Sequence, residues 1–241
     1  MMVLSGARLY RQHDENRKVG HVHGLLLVCG ENTPDLPEID GLPVHRLPTR
    51  PGKSDVDPLL SAEGAGHLVV LGTDGDLAAV VLRLLRKDKL ATTTLGFVPA
   101  DPASAVAEIW SLPTDPRRAL HLALVGDVDP VPLIRDDVGG VLIGRGVIGP
   151  VRGVAYCDDD VALRGAARGI TVEPDDAGAG LVVQVTKGSL FKRRITFNAR
   201  AFQLGCLPLV PLADGVPYSR PMKRWTWYRH TEDLRLVRGL A

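Results

Sequence analysis

Leu68-Val69-Val70-Leu71-Gly72-Thr73-Asp74-Gly75-Asp76-Leu77-Ala78-Ala79-Val80-Val81-Leu82-Arg83-Leu84-Leu85 is the stretch on which the fold is read. Its first four residues form an apolar run of strand length that stops at Gly72. From Leu77 on, Leu77, Val80, Val81, Leu84 and Leu85 recur at the spacing of one helical face. Arg83, Arg86, Lys87 and Lys89 then suit the negative end of a helix. Strand, tight turn and helix in this order bring backbone amides to a helix N-terminus, which favours an anion by roughly 0.3–1 kcal/mol. Gly72 and Gly75 permit positive φ and close backbone approach. Gly72, Thr73, Asp74, Gly75 and Asp76 are therefore the candidate nucleotide- or phosphate-binding residues. Asp74 and Asp76 put negative charge where a phosphate would dock unless a divalent cation or a lysine intervenes. No lysine follows in the turn, so this is not a Walker-type loop. The competing reading is an ordinary turn in which Asp76 caps the helix that begins at Leu77.

Working outward, Leu25-Leu26-Leu27-Val28-Cys29 reads as a buried first strand ended by Gly30. A proline-rich connection over residues 34–51 is too irregular for a long helix. A short helix is expected over residues 58–65, a strand over Gly96-Phe97-Val98-Pro99 and a helix over residues 103–110. Thr114-Asp115-Pro116 combines a capping side chain with a first-turn proline and leads into Leu120, Leu124 and Val125. Strands alternating with helices imply a parallel sheet. After about Val131 the pattern changes to short strand-like runs separated by Gly, Pro and Asp. The expected fold is α/β: a Rossmann-like parallel-sheet domain over residues 1–130, then a β-rich, sandwich-like domain over residues 131–241.

The net charge of +1 conceals an asymmetry. From Lys187 onward eleven Lys and Arg face three acids, and the same stretch holds seven of the chain's eleven aromatics. Basic and aromatic side chains together suit an anionic lipid surface or an acidic protein face, approached through Arg220, Lys223, Arg224 and Arg229. Nucleic acid is not the expected partner, and association between copies of the chain stays open. Arg193-Arg194-Ile195-Thr196-Phe197 and Arg224-Trp225-Thr226-Trp227-Tyr228-Arg229 largely alternate, however, which favours half-buried strands with aromatics in the core. Neither a membrane-spanning run nor a signal peptide is read, so the expected location is the cytoplasm, at the membrane periphery if the C-terminal segment docks there. Cys29, Cys157 and Cys206 are far apart and read as buried thiols. Asp136-Asp137 and Asp158-Asp159-Asp160 read as solvated turns rather than cation sites. His21 and His23 share a strand face without a third metal ligand, and His13, His45, His67, His121 and His230 show no triad spacing. No metal site is assigned.

The order strand, Gly72-Thr73-Asp74-Gly75-Asp76-Leu77, helix, strand, Pro99, helix, Leu112-Pro113-Thr114-Asp115-Pro116, helix, Gly126, then Asp129-Pro130-Val131-Pro132-Leu133 resembles the diacylglycerol kinase and lipid kinase family, which shares its fold with NAD kinases. That family marks its nucleotide site with Gly-Gly-Asp-Gly-Thr, usually followed by Asn-Glu. Gly72, Asp74 and Gly75 match. Thr73 stands for the second glycine, Asp76 for the threonine, and Ala78 and Ala79 for the Asn-Glu pair. Of a second motif, a proline followed by Leu-Gly-Thr-x-Asn-Asp, only Pro99 is kept. The resemblance implies an NAD kinase- and diacylglycerol kinase-like fold over about residues 20–215, with ATP and Mg as cofactors if the protein is active. An alanine at position 78 or 79 neither bonds a nucleotide nor supplies a carboxylate, so the expectation is a catalytically degenerate binding or regulatory module. The alternative is an active ATP-dependent kinase with a diverged site, in which Asp74 positions nucleotide or metal and a carboxylate of the β-rich half, such as Asp214, is the base.

Overall fold

Two apolar runs of the sequence lie side by side at the centre of a four-stranded parallel sheet. β1 (Leu25–Cys29) pairs with β3 (His67–Gly72), Leu25 opposite Leu68 and Val28 opposite Leu71, and β2 (Val44–Leu47) and β4 (Thr94–Pro99) complete the order β2-β1-β3-β4. The structure, a computed structural model, describes residues 24–31, 33, 34, 36, 37, 39–177, 180–188 and 192–239; His13, the His21 and His23 pair, and Phe191 lie outside the described residues. The helices are α1 (Lys53–Val56), α2 (Asp74–Arg86), α3 (Ala105–Ile109) and α4 (Pro116–Val125). All five β1 residues are buried because helices cover both faces of the sheet. On one face Leu25, Leu27, Leu68, Val70 and Phe97 share a core with Leu77, Val80, Val81 and Leu84 of α2. On the other, Leu26, Val28, Val69, Leu71 and Val98 meet Ala119, Leu120 and Ala123 of α4. Leu77, Val80, Val81 and Leu84 are fully buried and Leu85 partly so, and each fully buried side chain stabilises the fold by roughly 1.5–3 kcal/mol relative to exposure.

The helix boundaries follow local chemistry. Asp115 accepts from the Arg118 N–H at 2.9 Å and Pro116 fills the first helical position of α4, as the sequence leads one to expect. Over residues 58–65, where a helix is expected, only a 3₁₀ turn at Leu59–Ser61 forms; α1 lies upstream of that window and does not run on into it, because Pro58 lacks the N–H that would continue an α-helix.

The second half is built from strands: β5 (Asp127–Val128), β6 (Ile134–Asp136), β7 (Val141–Leu142), β8 (Gly146–Ile148), β9 (Val151–Cys157), β10 (Asp160–Ala167), β11 (Gly169–Pro174), β12 (Leu181–Lys187), β13 (Arg193–Ala199), β14 (Ala201–Leu209), β15 (Leu212–Ala213), β16 (Val216–Pro217), β17 (Met222–Arg229) and β18 (Val237–Gly239). Two six-stranded sheets, β10-β9-β14-β17-β6-β7 and β13-β12-β11-β8-β15-β16, turn their inner faces to one core. Trp225 and Trp227, two apart on β17, are both buried there and pack edge to face at 5.5 Å. The aromatic enrichment of the C-terminal stretch thus goes into the core. Of the basic residues read as a docking set, Arg220, Lys223 and Arg224 are exposed, whereas Arg229 is paired with Asp233 at 2.5 Å. Cys29 and Cys157 are buried, and burial pushes both thiols up to about 12, which leaves them unreactive.

The chain then returns to the first sheet. Leu234 and Leu236 join its core, the Leu95 N–H donates to the Arg235 carbonyl at 2.8 Å, and β18 pairs with β5. Among the described residues no helix is long and apolar enough to cross a membrane.

Candidate functional site

The parallel strands deliver their C-terminal ends to a cleft of about 580 Å³. With the order β2-β1-β3-β4 the strands diverge to either side between β1 and β3, and in open α/β sheets ligands bind outside such a point. Thr73 and Asp74 from the start of α2, Thr49 and Arg50 from the loop after β2, and Ser104 from the loop after β4 form one wall. Arg145, Asp214 and Val216 of the β-rich half form the other. The turn singled out in the sequence therefore lies on the wall of a cleft between the two halves.

Within that turn the cap is Thr73, and Asp76 is the third residue of the helix rather than its cap. The two close a reciprocal box: the Thr73 hydroxyl accepts from the Asp76 N–H at 3.3 Å, and Asp76 Oδ2 accepts from the Thr73 N–H at 2.8 Å and hydroxyl at 2.7 Å. Asp76 Oδ1 accepts from the Arg50 N–H at 2.6 Å, and Asp76 is only 1% exposed. A Cβ on Gly72 would lie 2.9 Å from Asp76 Oδ2 and 3.1 Å from Cys29 Cβ, so glycine there is a requirement of close approach. The carboxylate of Asp76 sits where the N-terminus of α2 would otherwise draw an anion.

Asp74 points the other way. Its Oδ1 accepts from the Ser104 hydroxyl, and its Oδ2 from the N–H groups of Ala105 at 2.8 Å and Val106 at 3.3 Å. Burial raises its carboxyl above the ordinary value, and these hydrogen bonds oppose the shift. Across the cleft Asp214 is placed by the two-residue turn Asp214-Gly215 between β15 and β16, with φ of 49° and 76° as a type I′ hairpin demands. Its carboxylate accepts from the Gly144 N–H at 2.7 Å and the Ile143 N–H at 3.0 Å. Burial, reinforced by the charge of Asp74, pushes Asp214 up to about 7 despite those bonds. Arg145 is held by Glu173 at 2.5 Å and Glu108 at 3.1 Å, an ion-pair chain that ties α3 to β11.

Gly75 carries a second steric requirement. A Cβ there would lie 2.5 Å from Val216 Cγ2, so β16 rests directly on the first turn of α2. Gly75→Ala is expected to destabilise the fold by roughly 1–3 kcal/mol through this overlap. Chemical denaturation checks it: Val216→Ala in the same chain should recover most of the loss, and a Gly75→Ala variant as stable as the parent would refute the contact.

Gly72, Thr73, Asp74, Gly75 and Asp76 are thus brought together, with Asp74 and Asp214 both on the cleft. Ala78 and Ala79 line a separate, smaller hollow on the far side of Val216 and Pro217. Asp136 accepts from Tyr218 and from the N–H groups of Val138 at 3.0 Å and Gly140 at 2.7 Å, and Asp158 accepts from those of Arg200 and Ala201. Asp136 caps its own turn from a buried position rather than a solvated one, and Asp158 ties its turn to the one between β13 and β14. Among the described residues no three His, Cys, Asp or Glu side chains gather closely enough to share a metal ion. Arg50, Ser104, Arg145 and Val216 escape the sequence reading. Ser104 had a signal, since its hydroxyl caps α3 through the Ala107 N–H at 3.0 Å. Arg50 had none, because its place depends on Asp76, far along the chain.

No family model and no curated protein matches the chain. Solved structures do. A diacylglycerol kinase from Bacillus anthracis str. Sterne superposes with a TM-score of 0.64 at 14% identity, covering 90% of this chain and 97% of the other. An NAD kinase from Archaeoglobus fulgidus in complex with ATP superposes with a TM-score of 0.53 at 10% identity, covering 89% and 93%. The parallel sheet with its appended strand-rich half is therefore the fold shared by these diacylglycerol and NAD kinases, as the resemblance in the sequence implies.

Proposed function

We propose that this protein is a kinase-fold binding module that has given up phosphoryl transfer and uses its cleft to hold a small ligand. The observation that carries the reading is the Asp76 carboxylate, which takes for itself the Thr73 amide at the N-terminus of α2 and the Arg50 amide of the loop after β2. The charge of the cleft argues the same way. Asp74, Asp101 and Asp214 line it against Arg50 and Arg145, and Arg145 is already paired with Glu108 and Glu173. Side chains so arranged disfavour a triphosphate, which needs more donors and positive charge than the single guanidinium unpaired among the described residues there, that of Arg50, supplies. Both oxygens of Asp74 are likewise committed to the start of α3.

Isothermal titration of the purified protein with ATP and Mg-ATP at millimolar concentration should show no binding, and no phosphate should pass from ATP to diacylglycerol. Transfer that is abolished by Asp74→Ala would overturn the reading. One observation favours an active enzyme: the position of Asp214 near neutrality, which suits a general base. That reading requires nucleotide binding, and the same titration decides it.

A further inference from the structure

The second hollow differs from the cleft in character. It holds about 260 Å³ and is walled by Ala78, Ala79 and Leu82 of α2 on one side and by Val141, Pro217 and the Tyr218 ring on the other. The polar end of Tyr218 is spent on Asp136, so what remains is an apolar wall. The alanine pair keeps the space open. At half-exposed positions of a helix face, larger side chains would project into it.

Only β16 divides this hollow from the cleft, and it is seated against Gly75. Arg50 borders both spaces. Its backbone is fixed, with φ at 52° and its N–H bonded to Asp76 Oδ1, while its guanidinium makes no ion pair or hydrogen bond among the described residues. A cation without a partner, on an anchored backbone at the rim of an apolar chamber, is complementary to a particular chemistry.

We infer that the hollow binds a small amphipathic anion, its ring or short chain against Ala78, Ala79 and Pro217 and its anionic group on Arg50. This names the ligand class for the binding module proposed above and rests on that reading. Such a ligand needs neither the amides at the start of α2 nor a cation in the cleft. It explains why apolar residues stand at positions 78 and 79.

The test is isothermal titration of the full chain with 2-naphthoate and with n-octanoate, which separate a ring from a chain, and with uncharged 2-naphthalenemethanol as control. One of the two anions should bind saturably, more weakly at high salt. Arg50→Gln should reduce that affinity about fivefold, as loss of one partly exposed charge contact does, and leave the alcohol unchanged. Ala79→Phe should remove binding of both anion and alcohol; should that variant fold poorly, Ala79→Asp tests the same wall with a charge. Absence of binding by either anion at millimolar concentration, or binding indifferent to both Arg50→Gln and the position 79 variants, overturns the inference. ATP-dependent transfer with intact naphthoate or octanoate binding would instead overturn only the loss of catalysis.

Discussion

Asp76→Ala is expected to destabilise the protein by about 3 kcal/mol, a fall in Tm of about 10 °C for a chain of this size, and at the same time to give it a measurable affinity for inorganic phosphate. The first effect follows from what the carboxylate holds. It accepts three hydrogen bonds, two from backbone N–H groups and one from the Thr73 hydroxyl, from a position only 1% exposed. Bonds to a charged acceptor contribute roughly 1.5–3 kcal/mol, and its charge also complements the α2 dipole. The second effect follows from what is released: the Thr73 and Arg50 amides would again face an anion at a helix N-terminus. Asp76→Thr, which restores the residue that the lipid kinase motif carries there, should bind phosphate as well and lose less stability, since a hydroxyl still bonds locally. Thermal denaturation with and without phosphate measures both effects. A destabilised variant whose Tm does not rise with phosphate would mean that the turn is only a helix cap, and the self-occupied anion site would have to be abandoned.

The part of the fold that could be read in advance is the part fixed by local pattern. The all-apolar β1 and β3 announce strands covered on both faces, the α2 stripe announces the helix that covers one of them, and Asp115-Pro116 announces the start of α4. The pairing of β14 with β17, the return of Leu234 and Leu236 to the first core and the seating of Val216 on Gly75 depend on where distant segments meet, and no spacing in the chain encodes that. The site divides in the same way. Gly72 and Asp74 declare themselves through a strand-turn-helix context. Asp76 looks like a cap and is instead the third residue of α2, and its bond from the Arg50 N–H could not be read because that group comes from a loop 26 residues earlier. Asp214-Gly215 carried a legible signal, the dipeptide of a tight hairpin between short apolar pairs, and that turn aims the carboxylate into the interior.

Stability should fall as pH rises from about 4 to about 7, and Asp214→Asn should remove most of that slope. Asp214 is 4% exposed, and burial pushes its carboxyl from 3.8 up to about 7. Between those values the folded protein keeps a proton that the unfolded chain releases, so the folded state is favoured most at the acid end and loses the advantage as pH climbs through the folded value. A shift of this size corresponds to about 4 kcal/mol across the window, at about 1.4 kcal/mol per unit. Above about pH 7 the side chain is ionised in both states and the curve flattens. Of the neighbouring groups, Asp74 faces Asp214 and is raised too, which adds a slope of the same sign, while its partners Ser104, Ala105 and Val106 hold it toward the charged form. His67 and His230 are lowered by burial, which makes stability rise with pH, the opposite sign. Asparagine keeps the shape but offers only one oxygen to the Ile143 and Gly144 N–H groups, so near pH 5 the variant should be less stable by roughly 1–3 kcal/mol. Near pH 8, where the parent must bury a carboxylate, the two should converge or cross. Urea unfolding of both proteins at several pH values gives the difference directly, and a difference constant from pH 5 to pH 8 would show that Asp214 titrates at an ordinary value. The same proton bears on ligands in the cleft. With Asp214 neutral the cleft loses one of its three carboxylate charges, so an anion at Arg50 should bind more tightly below about pH 7 than above it, in step with the stability curve.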